Sequence, residues 1–195
     1  MRGDQELVKQ LVADARGQVY YDRSDFLREK VWDDQNIFRM IEEIEAIVIE
    51  DDQERYHNYL ALGYLYRLVN YPQQSSEYYK WCLSYLETLY QEDDVQLLTA
   101  YLRYSETLRY LDIDATLELL EVVEDLATKN DHHEILDFIY QQQAKCYLEL
   151  DNIELAKDKF QSALEIREDK NDRRLIKATK LYLQYLTTIT NSNNH

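Results

Sequence analysis

The sequence is poor in the residues that interrupt helices. Its 195 residues include three glycines and one proline, whereas an average protein carries about 7% glycine and about 5% proline. Glycine allows the positive φ angles of tight turns and proline fixes φ, so chains with many strands and hairpins use both often. Their scarcity predicts an all-α protein without β-strands.

Two further shortages concern location. No apolar run reaches the ~18 residues that a membrane-spanning helix needs, and the N-terminal stretch MRGDQELVKQ lacks the apolar region of a secretory signal peptide. Cys82 and Cys146 are the only cysteines. They are too few for a disulfide scaffold, so we expect two buried free thiols. The sequence thus predicts a soluble cytoplasmic protein with no membrane partner.

Basic residues are in deficit. The chain has 22 Lys and Arg residues against 38 Asp and Glu residues, which gives a net charge of −16. Nucleic-acid binding requires clustered Lys and Arg side chains that neutralise phosphates, so we expect no direct nucleic-acid partner. The same charge repels anionic membrane surfaces. A protein or peptide partner is the remaining expectation.

The sequence offers little chemistry for catalysis. It contains no glycine-rich phosphate loop, no G-x-S-x-G nucleophile motif and no cysteine with a recognisable histidine base. The stretch Asp131-His132-His133-Glu134 contains metal-ligating residue types, but neighbouring residues on a helix do not face one another. We therefore expect a protein that is not an enzyme, with no catalytic residues, no metal site and no cofactor.

The chain is instead organised as a series of helix pairs. Amphipathic segments at 55–89, 95–127 and 134–168 are each interrupted once, at 70–72, near 111–114 and at 150–152. Pro72 disfavours helix at the residue before it, and Asp and Asn side chains supply turn and N-cap oxygens. Further helical patterns at 5–21, 35–50 and 172–190 are present. We expect at least seven helices in antiparallel pairs.

Alignment of the three pairs places similar side chains at the same positions. Each first helix carries a small residue, and each second helix carries a small or short residue followed by two apolar ones. The aligned sets are Gly63, Ser105 and Ala144; Ser75, Thr116 and Ala156; Tyr79, Leu120 and Phe160; and Cys82, Val123 and Ala163. The middle pair fits after one residue is deleted at its turn. Small residues let two helices approach closely, so we expect Ala144, Ala156, Phe160 and Ala163 to be buried at one junction.

This pattern resembles the tetratricopeptide repeat (TPR), with L-G-x2-Y in its first helix and A-x3-F in its second. The best matches are LGYLY at 62–66 and AKDKF at 156–160. The consensus tryptophan and terminal proline are missing, and the first spacings are 42 and 39 residues, longer than the usual ~34. The resemblance implies an all-α, right-handed superhelical array of antiparallel helix pairs. It would form a single domain over 1–195, with degenerate helices at 4–50, about three repeats at 55–168 and a capping helix at 172–190.

The resemblance also implies a concave groove, lined by the first helices of successive repeats, that holds peptides. The candidate peptide-binding residues are Tyr64, Arg67, Arg103, Arg109, Tyr110, Gln141, Gln142, Lys145 and Tyr182. The same face of the alignment also includes His57, Ala61, Thr99, Glu106, Phe138 and Thr179. Four of these positions are basic and one is acidic, which favours a ligand carboxylate. Arg103, in the middle repeat, is the preferred anchor.

The tyrosine-rich repeats look similar to the C-terminal sensor domains of peptide-responsive regulators in Gram-positive bacteria. This resemblance favours a bacterial cytoplasmic regulator or adaptor that binds a peptide segment in its concave groove. Two alternatives stay open at this point: a structural scaffold or chaperone-like adaptor, and an acidic inhibitor that mimics nucleic acid. The oligomeric state is also open, with a homodimer among the alternatives.

The C-terminal helix should cover the open apolar side of the last repeat, because a terminal repeat needs such a cover to stay soluble. We expect deletion of residues 172–195 to cause aggregation or a broader melting transition at lower temperature, measured by light scattering and circular dichroism. Deletion of the polar tail 191–195 alone is the control. A 172–195 deletion that stays soluble and melts like the full chain would show that the helix is dispensable.

Overall fold

The computed structural model describes residues 2–192. Within that range the chain folds into nine α-helices and one two-stranded sheet. The helices are α1 (Arg2–Arg16), α2 (Asp34–Glu45), α3 (Asp52–Leu68), α4 (Pro72–Glu87), α5 (Val95–Leu108), α6 (Ile113–Lys129), α7 (Leu136–Glu149), α8 (Ile153–Asp169) and α9 (Arg173–Ser192), and the strands are β1 (Val19–Asp22) and β2 (Arg28–Val31).

The chain forms two compact units. Unit 1 comprises residues up to 22 and 28–111, and so contains α1 to α5 and both strands. Unit 2 comprises residues from 112 onward together with the short segment 23–27, which joins the two strands.

Consecutive helices pack as pairs within each unit. In unit 1, α4 packs against both α3 and α5; in unit 2, each helix from α6 to α9 packs against the next. Three residues separate α3 from α4, α7 from α8 and α8 from α9, and connections this short make neighbouring helices antiparallel. The predicted all-α helical repeat fold, with its breaks near 70–72, 111–114 and 150–152, is confirmed.

The turns explain how the chain manages with so little glycine. After α3, Asn70 has φ of 61°, and the Tyr71 N–H donates to the Tyr66 carbonyl over 2.9 Å. This positive-φ residue with a six-to-one hydrogen bond is a common way to end a helix, in which glycine usually occupies the left-handed position. Here Asn and Asp take that place, at Asn70, Asp131, Asp151 and Asn171. Their short polar side chains tolerate this conformation better than other side chains do.

The strands contradict the expectation of a protein without β-structure. Val19 pairs with Val31 and Asp22 with Arg28 in an antiparallel hairpin, although the pattern at 5–21 had predicted continuous helix. Helix α1 ends at Arg16, and the β-favouring residues that follow form β1. The helix predicted at 35–50 also ends early, at Glu45.

The repeat alignment matches the packing. All twelve aligned positions are buried, including Thr116, Leu120 and Val123 of the middle pair. Gly63 shows why a small residue is needed, because an added Cβ would lie 2.8 Å from Cε2 of the Tyr79 ring. The Ser75 hydroxyl donates to the Gly63 carbonyl over 2.6 Å, which holds α4 against α3. The helix register inferred from the sequence is confirmed.

The predicted burial of four residues in the third pair is confirmed. Ala144, Ala156, Phe160 and Ala163 are all fully buried. The first three belong to one apolar cluster, which we call the α7–α9 cluster; its members are Leu27, Ala144, Leu148, Ala156, Phe160, Tyr182 and Leu186. The two cysteines are buried free thiols, as expected.

The last helix is buried along a line shifted from the predicted one. The sequence pattern placed Leu175, Ala178, Leu181, Tyr182 and Tyr185 on the apolar face. In the structure, Tyr182 is buried and the other four are half-buried, while Thr179 and Leu186 complete the buried line. The apolar pattern did not include Thr179 because threonine is polar. Its side chain can be buried because the hydroxyl donates to Gln141 and to the Leu175 carbonyl inside the protein. Helix α9 packs along α8, as a covering helix should.

The tight packing at Ala156 gives a direct test of this register. We expect Ala156→Leu to lower the free energy of unfolding by ~1–3 kcal/mol, since three added carbon atoms must displace Phe160 or Ala144 in a filled core. Urea unfolding measures the loss. Lys157→Leu, one residue along on the exposed face of α8, is the matched control and should change stability little. Equal effects of both substitutions would contradict the packing described.

Candidate functional site

Unit 1 contains a cavity of about 550 Å³ between four of its helices. Helix α1 forms one side, α3 forms another, and one residue of α4 and two residues of α5 complete the lining. The lining residues are Gln5, Val8, Lys9, Val12, Arg16, His57, Leu60, Ala61, Tyr64, Tyr79, Arg103 and Glu106. Cavities of roughly 300–1,000 Å³ typically accept small molecules or a few side chains.

Apolar groups make up much of the wall. Val8 and Val12 of α1, one turn apart, line the cavity together with Leu60 and Ala61 of α3. The ring of Tyr79 is buried where it rests on Gly63. The wall therefore suits an apolar side chain of a ligand, and the same close packing that permits the α3–α4 pair also shapes it.

The charges around the cavity are mostly positive. Lys9, Arg16 and Arg103 line it, against a single carboxylate, that of Glu106. Glu106 is itself held by an ion pair with Nη2 of Arg67 at 2.9 Å. A cleft with an excess of one charge raises the local concentration of the opposite charge. In a chain with a net charge of −16, this cavity is suited to an anionic group.

Arg103, the preferred anchor from the sequence, is exposed on α5 at this cavity. Across the described residues, its guanidinium takes part in no hydrogen bond or ion pair. Burial raises the pKa of the nearby Cys82 thiol to about 12, and the positive charge of Arg103 lowers that pKa by a smaller amount. A planar guanidinium without an internal partner is well suited to grip a carboxylate with two hydrogen bonds.

Tyr64, also predicted, forms part of the wall between two guanidiniums. The guanidinium carbons (Cζ) of Arg16 and Arg67 lie 5.6 and 5.4 Å from the centroid of the Tyr64 ring, within the range of cation–π attraction. Burial raises the pKa of Tyr64 to about 12, and the nearby Glu29 carboxylate adds to the rise. Its phenol is therefore protonated at neutral pH and can donate a hydrogen bond.

The other predicted residues of unit 1 serve internal contacts. Arg67 is only 4% exposed, and its Nη2 reaches Glu29 of β2 at 3.0 Å in addition to Glu106. Arg109 is buried beside the Tyr110 ring, at 5.3 Å, and Arg28 of β2 lies 4.5 Å from that ring. Neither Arg109 nor Tyr110 lines the cavity. These contacts hold β2 against α3 and α5.

In unit 2 the predicted residues are also largely buried. Gln141 and Gln142 are inside, and the Gln141 side-chain oxygen accepts from Arg167 at 2.8 Å and from Thr179 at 3.1 Å. Lys145 lies 5.7 Å from the Tyr182 ring centroid. The Tyr182 hydroxyl donates to the Leu27 carbonyl over 3.0 Å. The structure thus brings Lys145 and Tyr182 together, next to the segment 23–27.

A buried ionic network beside Gln141 was missed by the sequence analysis. The Asp137 carboxylate is fully buried and accepts from Nε of Arg167 at 2.7 Å and from Nζ of Lys170 at 2.6 Å. Lys170 also donates to the Glu134 carbonyl. The network joins α7 to α8. Because each of its charges is paired, it offers no open ligand site. Arg167 and Lys170 lie 30 and 33 positions from Asp137 in the sequence, too far apart for a local sequence pattern to reveal the network.

Six of the eighteen tyrosines take part in a series of aromatic contacts in unit 1. The Tyr66 and Tyr78 rings stack at 5.6 Å, and both hydroxyls donate to the same Glu45 oxygen at 2.9 Å. Further ring contacts connect them in a continuous series, Phe38, Tyr71, Tyr66, Tyr78, Tyr59, Trp81, Tyr85, Tyr56 and His57. The series packs α3 against α4.

The histidine stretch does not assemble a metal site. Nε2 of His133 lies 3.5 Å from Asp131, and Nδ1 of His132 lies 3.7 Å from Glu134, which are weak surface pairs. Over residues 2–192, no group of three His, Cys, Asp or Glu side chains is placed to hold a metal ion. In the same range, no helix combines the length and the apolar character needed to cross a membrane.

Comparison with known proteins bears on the fold. Two crystal structures of a kinesin light chain-like protein from Podospora anserina, with nearly identical TPR-like repeats, superpose with TM-scores of 0.62 and 0.61. Each is 12% identical in sequence and covers 99% of this chain and 87% or 88% of its own length. No protein-family model matches the chain, and no curated protein matches it. The fold is thus TPR-like, which confirms the resemblance inferred from the repeats.

The raised pKa of Tyr64 predicts a loss of stability at high pH. Because its folded pKa of about 12 lies above the usual value near 10, the stabilisation is complete below about pH 10 and is lost as pH rises towards 12. We expect Tyr64→Phe to reduce the slope of unfolding free energy against pH in this window, measured by urea unfolding at several pH values. An unchanged slope would contradict the burial of this phenol.

Proposed function

We propose that this protein is a peptide-binding interaction module that holds an acidic group of its ligand at Arg103 in the unit 1 cavity. Its TPR-like fold suggests a protein-interaction module. The observation that carries the finer proposal is an apolar cavity with three cationic side chains and one carboxylate, in a chain of net charge −16. The resemblance to peptide-responsive sensor domains supports a role as a bacterial cytoplasmic regulator or adaptor.

Different residues of the cavity contact different parts of the ligand in this proposal. Arg103 anchors the ligand carboxylate through paired charge-assisted hydrogen bonds. Lys9 and Arg16 of α1 add positive charge to the cavity lining, and Tyr64 donates from its phenol. An apolar ligand side chain fills the space between Val12 and the α3 wall. A cavity of about 550 Å³ takes two or three side chains, so the rest of the peptide lies outside it.

The buried candidates have a supporting part in this proposal. Arg67 and Arg109 fix the elements that carry the cavity wall, and Gln141 and Gln142 stabilise unit 2. Direct ligand contact is assigned to the exposed and half-buried residues, Tyr64 and Arg103 above all. Lys9 and Arg16 extend the set that sequence alignment supplied, because α1 lies outside the aligned repeats.

The test begins with a partner. A pull-down with the full chain, washed at rising salt, selects ligands that survive ~0.5 M salt, where screening acts within a few ångströms. A partner lost entirely at that salt would favour an acidic inhibitor that binds through charge alone. The retained partner is then narrowed to a peptide for calorimetry.

We expect Arg103→Ala to weaken binding of that peptide by ~2 kcal/mol or more, about thirtyfold. Its melting temperature should stay nearly unchanged, because the Arg103 side chain makes no internal hydrogen bond or ion pair among the described residues. Arg39→Ala, also exposed in unit 1 but outside the cavity, is the matched control. Arg103→Lys keeps the charge and should restore only part of the affinity. Equal affinities for wild type, Arg103→Ala and Arg39→Ala would reject the cavity and favour the scaffold alternative.

A further inference from the structure

The segment Arg23–Leu27 of unit 2 sits on helices that are far from it in sequence. Leu27 is 1% exposed and belongs to the α7–α9 cluster, in contact with residues more than a hundred positions away. Its carbonyl accepts the hydrogen bond of Tyr182, 155 residues further along. The Leu27 side chain is thus buried in unit 2, and the Leu27 backbone carbonyl is hydrogen-bonded there.

The backbone of this segment is held in an unfavourable conformation. Phe26 and Leu27 have φ angles of 50° and 55°, a region that side chains other than those of Gly, Asn and Asp rarely adopt. Two such residues in succession persist only where surrounding contacts fix them. Phe26 is 40% exposed, whereas Leu27 is 1% exposed and its carbonyl is bonded to Tyr182, so Leu27 supplies part of the contacts that fix this backbone.

These features are those of a bound peptide. A pocket between α7, α8 and α9 receives a leucine, and a buried phenol recognises the peptide backbone beside it. Two residues predicted to bind a peptide, Lys145 and Tyr182, lie together here. The chain's own segment thus lies beside two of the nine residues that the sequence analysis had assigned to a peptide ligand.

We propose that the pocket of the α7–α9 cluster is a recognition site for a leucine-bearing turn, which Arg23–Leu27 occupies as the chain's own ligand. The fitting partner is a protein that presents leucine in a left-handed turn, with a free carbonyl for Tyr182. Such a partner binds by displacing Arg23–Leu27. A partner turn with glycine in place of Phe26 has an advantage, because glycine adopts positive φ without strain.

This inference is independent of the cavity in unit 1. It rests on other residues, and its test uses a probe derived from this chain. Failure of either proposal therefore leaves the other standing.

The probe is a fluorescent, cyclised peptide with the sequence of residues 19–31, and fluorescence anisotropy reports its binding to the full chain. In Leu27→Asp, burial of a carboxylate in the apolar pocket is unfavourable, which should release the chain's own segment. We expect the peptide to bind this variant at least tenfold more tightly than wild type. The same peptide with glycine in place of Phe26 should bind still more tightly, and one with Leu27→Ala should not bind.

Two further measurements keep the test decisive. Adding Tyr182→Phe to Leu27→Asp removes one hydrogen bond and should weaken peptide binding severalfold, while circular dichroism confirms that both variants are folded. If Leu27→Asp fails to fold, hydrogen exchange on the wild-type chain replaces it: saturating glycine-bearing peptide should speed amide exchange in residues 23–28. Equal affinity of the peptide for wild type and a folded Leu27→Asp, binding of the Leu27→Ala peptide, or unchanged exchange would each overturn the proposal.

Discussion

The close approach of α4 to α3 at Gly63 is the constraint on which unit 1 depends. The Ser75 hydroxyl reaches the Gly63 carbonyl over 2.6 Å, and the Tyr79 ring occupies the space that a Cβ would need. Because Tyr79 is set at this depth, its ring closes one side of the cavity that Tyr64 and Arg103 line. A packing requirement of the repeat thereby determines the shape of the candidate ligand site.

Much of the helical architecture follows from local patterns in the sequence. The break before Pro72, the aspartate cap at Asp112 and the small residues at 63, 105 and 144 each act over a few residues, so one sequence is enough to identify them. The hairpin at 19–31 could not be found in this way. It lacks the Asn-Gly or Asp-Gly turn that signals a hairpin, and its connecting segment is fixed by Tyr182 and other residues of α7 to α9.

The candidate site, like the fold, could be predicted only in part from the sequence. Alignment of the repeats places Tyr64, Arg67 and Arg103 on one face, but it cannot show which charges are engaged inside the protein. Arg67 is neutralised by Glu29 and Glu106, and Glu29 comes from the unpredicted hairpin. Arg103 has no such partner among the described residues. Long-range ion pairs thus determine that Arg67 supports the fold, whereas Arg103 stays available as a candidate ligand contact.

The bond between Tyr182 and Leu27 has a consequence for the order of folding. Helix pairs joined by three-residue turns close short loops, whereas this contact must close one of 155 residues, and the entropy cost of closure rises with loop length. Substitutions in contacts that form after the rate-limiting step of folding mainly speed unfolding and leave the folding rate nearly unchanged. We therefore expect the contact of the Arg23–Leu27 segment with unit 2 to form late in folding, and loosening it should appear mainly in the unfolding limb of a chevron plot.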